Sequence, residues 1–262
     1  MPELVEVEIY RRLAESRALG RKVLDVDAPD AWYLKGGLDA ATIKSALLGR
    51  CFTGARRIGK LLLLDTPGPT LGLRFGMTGR LVVDGVLGVD ALLYSSNADT
   101  DAFDRFSITL APKGRGRLVM RDPRRLGGIE LAPDESCLGP DALGLTTATL
   151  RHALAGSTAP LKTRLMDQRH VAGVGNLAAD EVLWRASLDP VRPAGDLNND
   201  EVRRLADTLR RTLRRMLVRG GSHTGDLMAA RALGGQCPLD GTPLVRRQIG
   251  GRTTWSCPSH QR

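Results

Sequence analysis

The sequence predicts a chain of the α+β class: an N-terminal β-sandwich with flanking helices, then a helical domain, then a short cysteine-bearing tail. Three observations carry this reading. Between residue 21 and about residue 131, short apolar runs alternate with Gly, Pro and Asp, which is how antiparallel strands and their turns read. Further on, apolar residues recur at intervals of three and four, the helical period. Beyond Gly220-Gly221 there are too few apolar residues for a core, so the tail needs a staple.

Each element follows from its local pattern. Val5, Ile9 and Leu13 recur every fourth residue ahead of Gly20, which predicts an amphipathic helix with a glycine C-cap. Strands are expected at Lys22 to Val26, Leu61 to Leu64, Leu71 to Phe75, Arg80 to Asp84, Phe106 to Leu110, Leu118 to Met120 and Gly128 to Leu131. Asp39 is placed to N-cap a helix over Ala40 to Leu48. The Pro-, Gly- and Asp-rich stretch Ala132 to Thr147 reads as a linker. Helices over Leu161 to Asp167 and Leu177 to Trp184 flank a tight turn, His170 to Asn176. Val202, Leu205, Leu209, Leu213, Met216 and Leu217 then mark a long amphipathic helix that stops at Gly220-Gly221. The expected division is 1–131 β-sandwich domain, 132–147 linker, 148–226 helical domain and 227–262 metal-stapled finger.

Composition narrows the function classes. Lys plus Arg number 38 against 29 Asp plus Glu, a formal charge of +9, and much of the excess lies in pairs such as Arg124-Arg125, Arg210-Arg211 and Arg214-Arg215. Such clusters predict contact with a phosphate polyanion, although solvated surface faces account for some of them. No apolar run approaches the roughly 20 residues of a membrane helix. Glu3, Glu6 and Glu8 stand where a signal peptide would be basic and then apolar, so a cytoplasmic, nucleoid-associated protein without membrane contact is expected. In a reducing compartment Cys237 and Cys257 are better read as metal ligands than as a disulfide.

Three constellations carry chemistry. Cys237-Pro-Leu-Asp240 and Cys257-Pro-Ser-His260 present two donor pairs at zinc-ribbon spacing, and a structural zinc ion would supply the folding energy that the tail lacks. Asp240 is the least usual of these donors, because structural sites favour Cys and His. Gly173-Val-Gly-Asn176 leads into a helix whose first amides are open to an anion such as phosphate, although many helical hairpins contain such a turn. Finally, removal of Met1 would expose in Pro2 a secondary amine with an ordinary pKa of about 7.7 to 8.0. That amine can attack an electrophilic carbon while Glu3 moves protons. Taken alone, Met-Pro followed by Glu is an unremarkable helix start.

Read together, six segments resemble the formamidopyrimidine-DNA glycosylase and endonuclease VIII (Fpg/Nei) family, in order and along the whole chain. They are residues 1–8, Ile58 to Leu64, Gly76-Met-Thr-Gly79, Asp122-Pro-Arg-Arg-Leu-Gly127, Val171 to Leu177, and Gly251 to Gln261. The resemblance implies a helix-two-turn-helix domain, a zinc finger with one ion, and a monomer acting on damaged duplex DNA as a base-excision glycosylase and AP lyase. It makes Pro2 the nucleophile at the deoxyribose C1′, Glu3 its acid/base partner and Glu6 a further carboxylate near the lesion. Lys60, Asn176 and Arg252 would hold phosphates, and Met77, Arg124 and Leu126 would fill the gap left by an extruded nucleotide. Extrusion itself costs a few kcal/mol. Met77 and Leu126 are otherwise ordinary core residues.

Departures from the Fpg pattern bear on substrate. Val5 replaces a usual proline, Leu126 an aromatic wedge, and Asp240 and His260 stand where Cys is usual. The segment Gly220 to Gln236 is shorter than the stretch that carries the loop over an oxidised purine. Formamidopyrimidine or 8-oxoguanine lesions are the expected substrates, with oxidised pyrimidines or abasic sites as the endonuclease VIII-like alternative. A non-catalytic binder of damaged DNA would have no need of Pro2, Glu3 and Lys60 together. An RNA-binding zinc ribbon would have no use for the Met77, Arg124 and Leu126 trio.

Overall fold

Alternating apolar and turn residues build two antiparallel sheets from the first half of the chain. The strands are β1 (Val23–Asp27), β2 (Gly54–Ile58), β3 (Leu61–Asp65), β4 (Leu71–Arg74), β5 (Arg80–Val83), β6 (Val86–Leu87), β7 (Asp104–Leu110), β8 (Gly116–Arg121) and β9 (Gly128–Leu131). One sheet has five strands in the order β1-β7-β8-β5-β6, the other four in the order β2-β3-β4-β9. The computed structural model describes residues 2–93, 95, 100–112 and 116–262. Its chain divides into two compact units, Pro2 with Glu6–Glu135 and Glu3–Val5 with Ser136–Arg262.

The first unit has one apolar core. Leu62, Leu64, Leu71 and Leu73 from the smaller sheet share it with Leu81, Val83, Phe106, Ile108, Leu118 and Met120 from the larger. Each such side chain taken from water contributes about 1.5–3 kcal/mol. Helix α1 (Leu4–Arg17) adds Val7, Tyr10 and Ala14, and the Tyr10 ring lies 4.5 Å from that of Phe75. The expected stripe is therefore rotated, since Ile9 and Leu13 are only partly buried. The helix also ends earlier than expected, at Arg17, and Gly20 (φ +72) turns the chain beyond it. Helix α2 (Ala40–Leu47) starts where expected, with the Asp39 side chain accepting from Thr42 N at 2.7 Å.

Strand β2 was not legible because its sequence, GARRI, has no apolar alternation. Charge holds its outer side chain instead: Arg56 bonds Asp65 at 3.0 Å and Glu135 at 2.5 Å. Nearby, Glu8 accepts from Arg11 at 3.0 Å, Arg12 at 3.1 Å and Arg57 at 3.2 Å. Burial works to raise the Glu8 pKa, but these guanidinium groups outweigh it and hold the carboxyl below its ordinary value.

The second unit is helical, with α3 (Thr147–Leu154), α4 (Leu161–Met166), α5 (Asn176–Arg185) and α6 (Asn199–Arg219), followed by a hairpin of β10 (Val245–Ile249) and β11 (Arg252–Ser256). Helix α3 went unanticipated; it starts at the last residue of the expected linker, capped by Thr146. A capping box of Asn198 and Glu201 opens α6, and Gly220, at φ +95, closes it. Among the described residues no helix is long and apolar enough to cross a membrane.

The Glu8 cluster gives a pH signature. A carboxyl whose folded pKa is depressed adds stability above the ordinary value of 4.5 and loses it as pH falls through the folded value. Glu8→Gln is therefore expected to melt below the wild type at pH 7, and the gap should close as pH drops below 4.5. Thermal melts across pH 7 to 3 test this; parallel curves would assign the ion pairs no net role.

Candidate active site and metal centre

A helix leaves its first amides without partners, and α5 fills that need with a carboxylate from far along the chain. Glu3, 1% exposed, accepts from Gly175 N at 3.1 Å, Leu177 N at 2.8 Å and Ala178 N at 3.1 Å. No side chain of its own caps α5. The two glycines make room for this arrangement. A Cβ on Gly175 would lie 2.2 Å from Glu3 Cδ, and one on Gly173 (φ +109) would lie 2.4 Å from Leu4 Cδ1. The Glu3 carboxylate thus meets the first amides of α5. Asn176 opens the helix, and its Oδ1 is buried without a hydrogen-bond partner among the described residues.

Farther along α5 two more carboxylates turn inward. Asp180 (1% exposed) meets Lys162 Nζ at 2.7 Å, Arg231 Nη2 at 2.8 Å and Trp255 N at 3.3 Å. Lys162 is fully buried and also donates to Thr254 Oγ1 at 2.7 Å. Burial pushes its ammonium below the ordinary lysine range, and Asp180 opposes that shift. Glu181 accepts from Leu227 N at 2.8 Å and Asp226 N at 3.1 Å. Sequence reading missed this trio; the signal was two adjacent acids inside an otherwise apolar helix.

The four predicted metal donors come together: donor atoms of Cys237, Asp240, Cys257 and His260 all lie within 4.8 Å of one another. His260 Nδ1 is 3.2 Å from Asp240 Oδ2 and 3.6 Å from Cys237 Sγ, and Cys257 Sγ is 3.4 Å from Asp240 Oδ2. Neighbouring donors around a tetrahedral zinc ion stand about 3.2–3.8 Å apart, so the cluster fits such an ion. The Thr242 amide holds the Asp240 carboxyl well below the usual range, which keeps it a ligand-ready anion.

The remaining site residues occupy three places. In the first unit, Pro2 and Glu6 are buried at the start of the chain, and Lys60 follows Gly59 (φ +57) in the β2–β3 turn. Met77 lies in the turn after β4, and Arg124 and Leu126 in the loop before β9, with Leu126 50% exposed. The structure brings these two loops into contact: a Cβ on Gly76 would sit 2.3 Å from the Leu126 carbonyl carbon. Asp122, fully buried, holds both, accepting from Thr78 Oγ1 at 2.5 Å, Arg124 N at 3.2 Å and Gly127 N at 2.8 Å. In the second unit, Arg252 is exposed where β11 begins.

The Glu3 contacts can be tested through the glycine that admits them. Gly175→Ala should force the carboxylate off its amides, and leaving a buried polar group unpaired costs about 1–3 kcal/mol. A lower urea midpoint is the expected result; an unchanged midpoint would mean that the helix end does not depend on Glu3.

Comparison with known proteins matches this architecture over the full length. The profile of the formamidopyrimidine-DNA glycosylase N-terminal domain matches residues 1–129, and that of the formamidopyrimidine-DNA glycosylase H2TH domain matches residues 138–227. Formamidopyrimidine-DNA glycosylases of Streptococcus mutans and Burkholderia cenocepacia are 30% and 33% identical, each alignment covering all of both chains. Among solved structures, a Lactococcus lactis Fpg variant in complex with Fapy-dG containing DNA superposes with a TM-score of 0.84 at 26% identity, over 100% of both chains. The Lactococcus lactis enzyme bound non-covalently to DNA containing an AP site gives 0.83 at 26% identity, over 99% of each chain. With both domain profiles in order and full-length relatives at this identity, the chain belongs to the formamidopyrimidine-DNA glycosylase (Fpg/Nei) family.

Proposed function

We propose that this chain, a DNA-binding glycosylase of base-excision repair acting on oxidised bases, works through an iminium on Pro2 and then nicks the strand as an AP lyase. The observation that carries the reading is Glu3, fixed by three backbone amides in the position directly after the nucleophile. With Met1 removed, the Pro2 nitrogen attacks C1′ of the extruded nucleotide while Glu3 delivers a proton to the sugar ring oxygen. The C1′–base bond breaks and the base leaves carrying the proton lost from the Pro2 nitrogen; the C1′–O4′ bond then opens onto the proton from Glu3, leaving a ring-opened sugar joined to Pro2 as an iminium. Loss of a C2′ proton then drives β-elimination of the 3′ phosphate, and a second elimination releases the 5′ phosphate. Met1 itself lies outside the described residues.

Supporting roles follow residue types. Lys60, Asn176 and Arg252 bind phosphates flanking the lesion, Glu6 faces the lesion pocket, and Met77, Arg124 and Leu126 occupy the vacated stack. An apolar wedge with a guanidinium beside it suits that task, because the wedge separates bases while Arg124 bonds the orphaned partner. Cys237, Asp240, Cys257 and His260 hold one zinc ion, which supplies folding energy to the finger and presents Arg252. The functional division is 1–131 catalytic domain, 132–147 linker, 148–226 DNA-binding domain and 227–262 finger, in a cytoplasmic monomer acting on damaged duplex DNA. Formamidopyrimidine and 8-oxoguanine are the favoured lesions. The brevity of Gly220 to Gln236 keeps an oxidised-pyrimidine preference as the second reading.

Borohydride trapping on duplexes containing 8-oxoguanine, an oxidised pyrimidine or an abasic site tests all of this, with intact-mass confirmation that Met1 is removed. Wild-type protein should form a covalent adduct, Pro2→Gly should lose it, and Glu3→Gln should lose it on base lesions. The lesion trapped best assigns the substrate. Tight DNA binding without any adduct from processed protein would leave a non-catalytic binder as the better account.

A further inference from the structure

We propose that Trp184, in the last turn of α5, is an outer-shell residue of the metal centre, holding one ligand with its indole and another with its carbonyl. The proposal rests on the zinc reading above. The Trp184 ring is 2% exposed, and its Nε1–H donates to Cys237 Sγ at 3.3 Å. The carbonyl oxygen of the same residue stands 3.1 Å from His260 Nε2. A carbonyl can only accept, so this contact requires the proton on Nε2 and leaves the Nδ1 lone pair facing Cys237 and Asp240. The indole also meets the imidazole edge-on, with ring centroids 6.2 Å apart at 70°.

The donor set explains why such a partner is needed. Two thiolates, one carboxylate and a neutral imidazole carry three negative charges, one more than a divalent ion cancels. An N–H directed at a thiolate sulfur draws off part of that excess in a site where Cys237 and Cys257 are both buried. Trp184 also packs with Leu227, Cys237 and Cys257, so simple core filling is the competing account. The two accounts separate chemically: phenylalanine keeps most of the shape and loses the N–H.

The experiment uses the full chain. Zinc content of purified wild-type protein is measured first, and absence of bound zinc would overturn the metal reading and this proposal with it. Given one zinc per chain, Trp184→Phe is titrated against a chelator. Affinity should fall about 10- to 100-fold, the usual effect of losing an outer-shell partner. The sulfur-to-cobalt charge-transfer band of the cobalt-substituted variant should also shift from the wild-type position. Unchanged affinity with an unchanged cobalt band would leave Trp184 as packing alone, with the zinc reading intact. If Trp184→Phe does not fold, the indole proton resonances of 15N-labelled wild type decide instead. Trp32→Phe and Trp255→Phe identify the third signal by elimination, and that signal must move when the metal is stripped; a fixed one overturns the proposal.

Discussion

Helix α5 is the constraint on which the second unit depends, because it buries charged and polar groups along its length that are held by partners from distant parts of the chain. Its opening amides take the Glu3 carboxylate, Asp180 takes two cations, Glu181 takes two amides, and Trp184 reaches Cys237 and His260 of the four-donor cluster. Buried charges are weak evidence of net stability but strong determinants of arrangement. Removing one partner strands the other, at about 3–5 kcal/mol. The partners of α5 come from residues 3, 162, 226 to 231, 237, 255 and 260, so one ten-residue helix fixes where the N-terminal carboxylate, the loop after α6 and the finger lie.

The first unit solves a similar problem differently. There a wide apolar core fixes the two sheets, and a single buried carboxylate, Asp122, organises the exposed loops at one end. Arg125 adopts φ +56 and pairs with Asp30 at 2.6 Å, which pins the loop so that Arg124 and Leu126 stay on the outside. Leu126 follows the Arg124-Arg125 pair, and a loop held from below by its own aspartate keeps that leucine from collapsing inward.

Much of this was legible in the sequence, and the failures have physical causes. Apolar alternation gave the central strands, and Asp39 and Gly220 marked helix ends, because caps and turns are local chemistry. Strand β2 was invisible since ion pairs, which carry no periodicity, hold its outer face. The metal donors were found by spacing alone and do converge. The glycine turn was read as open to an anion because a helix N-terminus accepts any anion. Only the tertiary structure reveals that the anion is Glu3, a residue whose partners lie more than 170 positions away. Asp122 and Asp180 escaped for the same reason, since long-range hydrogen bonds leave no local trace.

That separation orders events during synthesis. Glu3 leaves the ribosome early, yet the amides it needs do not exist until residue 178 has been made. At about 5–20 residues per second, the Glu3 carboxylate waits roughly 9 to 35 seconds for its partners. Throughout that interval the Glu3 carboxylate lacks its amide partners, although Val7, Tyr10 and Ala14 of α1 belong to the core of a unit that is synthesised earlier. The junction of Glu3 with α5 is thereby deferred until the second half of the chain has begun to emerge.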